Sequence, residues 1–80
     1  MDDRQIIETI DRLVAEEHEL RQQHVDEPLS AGEAARLQTV EESLDQCWDL
    51  LRQRRARRQY GDDADEAAVR DPGTVEGYRQ

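Results

Sequence analysis

Leu44-Asp45-Gln46-Cys47-Trp48-Asp49-Leu50-Leu51, inside the longer run from Leu37 to Tyr60, decides how this chain is read. Leu37, Val40, Leu44, Cys47 and Leu51 recur at alternating steps of three and four residues. Only a helix brings that spacing onto one side, so the run reads as a helix with an apolar seam facing a partner. The chain's single Trp and single Cys both lie here, and five arginines follow between Arg52 and Arg58.

N-terminal to this run, Ser30-Ala31-Gly32-Glu33 reads as a capping box, which starts the helix at about residue 31. Gly61 is a natural stop, so the helix runs to about residue 59. Pro28 disfavours helix at Glu27 and marks a break between residues 25 and 30. Before the break, Ile6, Ile10, Leu13, Leu20 and His24 form a second seam, with Glu17 as its polar interruption. Asp2 with Gln5 offers a start signal, so a first helix is expected over about residues 3–24. A connection this short makes the two helices antiparallel neighbours. Setting Leu20 against Leu37 places Glu17 opposite Val40, Leu13 opposite Leu44, Ile10 opposite Cys47 and Ile6 opposite Leu51. The outermost layer is then an ion pair, Asp3 with Arg54. Two seams read independently agree on one register.

The chain has 80 residues, 39% of them charged and 35% apolar, with a net charge of −9. One small domain is the upper bound, and a sizeable core is not available. The acidic balance argues against a general nucleic-acid binder or a protein drawn to anionic membranes. All eleven basic residues are Arg, and Phe is absent. One cysteine excludes an internal disulfide. With no signal peptide and no apolar run of membrane length, the chain reads as cytoplasmic and soluble.

Residues 61–80 form an acidic C-terminal tail. Asp63 with Glu66 is placed to cap one more short turn, through Val69. Asp71-Pro72-Gly73 reads as a turn. The tail is expected to be frayed and irregular, with docking of Val75 and Tyr78 near Trp48 as the alternative. A lone hairpin buries one stripe, which does not offset the ordering of its backbone. Its flanks, Ile7, Val14, Trp48 and Leu50, stay wet. These residues, with Tyr78, are the interface candidates, and two hairpins are expected to pair into an antiparallel four-helix bundle.

Candidate chemistry is thin. Arg52, Arg54, Arg55, Arg57 and Arg58 form a basic patch that would suit a phosphate or nucleic acid. Cations are also favoured at a helix C-terminus, where Asp45, Asp49 and residues 62–66 can pair with them. His18, His24 and Cys47 are metal-ligand types, but the hairpin separates His24 from Cys47 along its length. Glu17 with His18 or His24 would need a dimer interface to build a metal site. Arg21, one turn on, is the plainer partner for Glu17. Phosphate-binding loops, dinucleotide fingerprints, zinc-protease motifs and nucleophile elbows are all absent. No catalytic, cofactor or metal residue is assigned, and the chain reads as a non-enzyme.

Three blocks carry a resemblance. They are Leu13-Val14-Ala15-Glu16-Glu17-His18-Glu19-Leu20-Arg21, Leu44 to Ala56, and Val75-Glu76-Gly77-Tyr78. Together they resemble a small bacterial family, mostly actinobacterial, catalogued as a domain of unknown function. The resemblance implies a short, all-helical cytosolic protein of about this length. It implies no activity, ligand or catalytic residue, and it favours a docked tail over a frayed one.

The expectation is therefore an all-α chain: a helical hairpin over residues 1–60 whose partner is itself, as a homodimer, and a tail over residues 61–80. Its expected role is a non-enzymatic interaction or scaffold protein that binds a second copy or another helical protein. A phosphate or nucleic-acid binder and a metal-dependent bundle are the alternatives.

Overall fold

Two capping boxes start the two long helices of the computed structural model, which describes residues 1–23 and 26–77. Helix α1 spans Asp3–Gln22. The Gln5 N–H donates to Asp2 Oδ1 at 2.8 Å, and the Asp2 N–H donates to Gln5 Oε1 at 2.9 Å. Helix α2 spans Ala31–Gln59, and Ser30 and Glu33 exchange the same pair of bonds, both at 3.1 Å. Each box satisfies two backbone donors that a helix start leaves open. At the other end of α2, Gly61 takes φ +77°. The Asp62 N–H then reaches the Arg57 carbonyl at 2.7 Å and the Gly61 N–H reaches Arg58 at 3.3 Å, the paired closure that a left-handed glycine permits.

The helices pack as an antiparallel hairpin. Ile6 and Ile10 of α1 meet Val40, Leu44 and Leu50 of α2 in one buried cluster, with Leu13, Cys47, Leu51 and Ala67 against it. Asp3 pairs with Arg54, the outermost layer of the expected register. Glu16 pairs with Arg36 at 2.6 Å nearer the turn, which fixes the opposite running of the two helices. Arg21 bonds Glu41 at 2.6 Å and lies 4.0 Å from Glu17, so the seam's polar residue has the neighbour its sequence position suggests. Among the described residues there is no strand, and no helix is long and apolar enough to cross a membrane.

The tail departs from the frayed reading. It turns at Gly61 and runs back along α2 in the opposite direction. Arg54 Nη1 donates to the Ala64 carbonyl at 3.2 Å, Gln53 Nε2 to Ala68 at 2.7 Å, and Gln46 Nε2 to Arg70 at 3.1 Å. Three side chains of α2 thus supply the backbone bonds that the tail, lacking a partner strand or a long helix, needs when it lies against protein. Its one 3-10 turn, Ala64–Glu66, is shorter than the turn expected through Val69. Asp63 caps that turn by accepting from the Asp65 N–H at 2.9 Å.

Asp71-Pro72-Gly73, read as a turn, instead opens a short helix, α3 (Pro72–Gly77). Asp71 accepts from the Thr74 N–H and from its hydroxyl, each at 2.9 Å. Proline fits the first helical position because its missing N–H is not needed there. The α3 turn buries Val75 to 1% exposure. Docking therefore occurs through Val75, whereas Tyr78 lies outside the described residues.

Leu50 is the other correction. The sequence pattern places it on a wet flank, but it is only 5% exposed and belongs to the core. The heptad reading recognised one covered side of α2, and the returning tail provides a second. Substituting Leu50→Ala should therefore destabilise the protein by about 2–4 kcal/mol, as deletion of a buried leucine does. Urea unfolding followed by circular dichroism measures it, and a loss below about 0.5 kcal/mol would place Leu50 on the surface.

The ion pairs at this end carry a pH signature. Hydrogen bonds from Arg58, then from Arg54, hold the Asp3 carboxyl at about 2, below its ordinary 3.8. The folded carboxylate keeps its charge where the unfolded one has taken a proton, so its stabilisation is complete above about pH 4 and is lost as pH falls through 2. Acid titration should show a fall in melting temperature across that window. Asp3→Asn should be less stable near neutral pH and lose less between pH 4 and 2, and a slope equal to that of the parent would contradict the assignment.

Candidate functional site

With α1 on one side of α2 and the tail on another, the described residues leave a third side open. Glu41, Asp45, Trp48, Arg52 and Arg55 follow one another at steps of four, three, four and three residues. They therefore share one stripe of the helix surface. Trp48 stands at its middle, 48% exposed. On one side of the indole is a groove of about 580 Å³ shared with α1, lined by Val14, Glu17, Glu41, Leu44 and Asp45. On the other is a cleft of about 460 Å³ shared with the tail, lined by Asp49, Arg52, Gln53, Arg70 and Val75. Trp48 is the ridge between them.

The interface candidates divide accordingly. Ile7 and Val14, seven residues apart on α1, are 48% and 45% exposed, as wet as Trp48. Val14 and Trp48 line the same groove. Leu50 is withdrawn into the core, and Tyr78 falls outside the described residues.

The basic patch is largely consumed by the fold. Arg54, itself buried, binds Asp3, and its Nη1 lies 3.0 Å from Asp65 Oδ1. Arg58 Nη2 donates to Asp3 Oδ2 at 2.7 Å, and Arg57 lies 3.4 Å from Glu66. Among the described residues, Arg52 and Arg55 make no ion pair. Sequence reasoning offered Asp49 as a partner for the cluster. Instead Asp49 is 97% buried, accepts from Gln53 Nε2 at 2.8 Å and lies 3.7 Å from Arg70 of the tail. It is a clamp for the tail rather than for the arginines around it.

The metal-ligand types do not converge among the described residues. His18 is exposed, Glu17 is engaged with Arg21, and no three of His, Cys, Asp and Glu come close enough to share an ion. His24 lies outside the described residues. Burial pushes the Cys47 thiol up from its ordinary value, which leaves it less thiolate and less reactive.

The stripe around Trp48 was the feature missed. Its signal was present as a second alternation of fours and threes, but one composed of charged residues. A search for apolar periodicity passes over it, because only Trp48 is apolar.

Compared with known proteins, the chain matches over residues 2–80 the family described as "Protein of unknown function (DUF2630)". It is 55% identical over 67 residues to the uncharacterized protein Mb0922c of Mycobacterium bovis and to the uncharacterized protein Rv0898c of Mycobacterium tuberculosis. Each match covers 82% of this chain and 77% of the relative. No solved structure matches. The chain belongs to this family of unknown function.

Proposed function

We propose that this member of an uncharacterised family is a non-enzymatic interaction protein that works by pairing with a second copy of itself, two hairpins forming a four-helix bundle. The observation that carries the reading is the side of the hairpin where Ile7, Val14 and Trp48 each remain about half exposed. Large apolar side chains standing together on a chain with so little apolar surface to spare mark a face that gains by being covered. The same face holds a groove into which another helix can lay side chains.

The competing phosphate or nucleic-acid reading draws less support. Three of its five arginines are bound to Asp3, Asp65 and Glu66, and the chain carries a net charge of −9. Two exposed arginines give few phosphate contacts, and binding strength scales with their number.

Leu50 is already covered by the chain's own tail, so the open face is small and self-association is expected at the weak end of protein interfaces, in the micromolar range. Light scattering across a dilution series should show a dimer at about 100 µM that dissociates below about 1 µM, and Trp48→Gln should shift the transition upward at least tenfold. A parent protein that stays monomeric at every concentration would end the reading.

A further inference from the structure

Residues 62–70 carry a helix-forming sequence that the fold does not use. Ala64, Glu66, Ala67, Ala68 and Arg70 are among the better helix formers, and no glycine or proline interrupts the stretch. Glu66 and Arg70 stand four residues apart, in the order that favours an ion pair on a helix. Yet only Ala64–Glu66 turn, as a 3-10 helix, and residues 67–71 form no helix. A local preference overruled by the packing around it marks an element with two arrangements of its own.

We infer that the tail is a switch with two positions. In one it lies along α2. In the other it lets go and continues α2 as a single helix to Arg70, where Asp71-Pro72 ends it. The break that separates the two is one residue, Gly61 at φ +77°. Turning Gly61 into the right-handed region joins the stretch to α2.

The tail's attachments are few. Arg54, Gln53 and Gln46 each donate one bond to its carbonyls, and Ala67 and Val75 are its apolar anchors. Ala68 is exposed, and Val69 is 60% exposed. Segments held this lightly open before the rest of a fold does. Release also strands little. Arg54 keeps its pair with Asp3, and the buried carboxylate of Asp49 regains water. Leu50 is the side chain that loses its cover.

The consequence is access to a second side of α2. Leu50 and Trp48 are two residues apart, which sets them about 200° apart around the helix, on opposite flanks of the seam. A helical partner that packs on Leu50 does so by displacing the tail. The switch therefore lies beyond the pairing through Trp48 and does not depend on it.

The test acts on Gly61 in the full-length chain. Nothing lies within 4 Å of a Cβ added there, so Gly61→Ala acts through backbone conformation alone. Alanine is penalised in the left-handed region and favoured in a helix, which together should shift the balance towards release at least about tenfold. In the isotopically labelled variant, Cα chemical shifts through residues 62–70 should become helical. Contacts from the Ala67 methyl to the buried cluster should weaken, while those between α1 and α2 persist. Ala68→Pro forbids the continued helix. It suits the docked tail, because Ala67 before it is extended at φ −64° and ψ 141°. Adding it to Gly61→Ala should restore the docked contacts. Gly61→Asn, which tolerates the left-handed region, is the folded reference and should keep them. A tail that stays docked in the alanine chain would overturn the switch, as would one that releases without helical shifts. Release that proline fails to reverse, or that asparagine reproduces in full, would overturn it too.

Discussion

The structure depends on the guanidinium of Arg54. It is buried between three segments that are far apart in sequence: Asp3 at the start of α1, its own helix α2, and Ala64 and Asp65 at the start of the tail. A buried cation is tolerated only when its donors are used. Here Nε binds one carboxylate, while Nη1 binds a second carboxylate and a carbonyl. Arg58 adds a bidentate hold on Asp3. An arginine fork suits this role and a lysine would not, because the fork reaches acceptors in several directions at once.

From that node the rest of the architecture follows. The hairpin closes at its open end because Asp3 is tied to α2. The tail starts in the right direction because Asp65 and Ala64 are tied to the same group. Once started, it is laid along α2 by Gln53 and Gln46 and finished by Val75. A chain with few apolar residues thereby covers two sides of one helix, using backbone carbonyls where a larger protein would use a third packed helix. What the described residues leave over is one side of α2, with an indole at its centre.

Much of this was legible in the residues. The seam positions, both capping boxes, the glycine stop and the Asp3–Arg54 layer all follow from local rules that involve neighbours three or four apart, or two matched stripes. The course of the tail was not legible, for a physical reason. Its attachments are single side chains donating to carbonyls, at Ala64, Ala68 and Arg70, and a carbonyl carries no mark of residue type. Leu50 was misplaced for the same reason, since its burial depends on a segment whose position had no periodic signal. The Asp71-Pro72 start of α3 was readable in principle, as an acidic cap followed by proline at the first helical position. The helix it opens is only six residues long, too short to show an apolar period. Of the candidate site, Trp48, Ile7 and Val14 show as leftovers of the apolar pattern, whereas the charged residues around Trp48 carry no apolar period.

The central claim is that α2 is covered from two sides by its own chain, with the tail as the second cover. Nuclear Overhauser contacts in the isotopically labelled full-length protein test it most directly. The account predicts cross-peaks from the Ala67 methyl to methyls of the buried cluster and from the Val75 methyls to the Trp48 indole, alongside contacts between α1 and α2. Contacts within the hairpin alone, with Ala67 and Val75 showing none to it, would contradict the account.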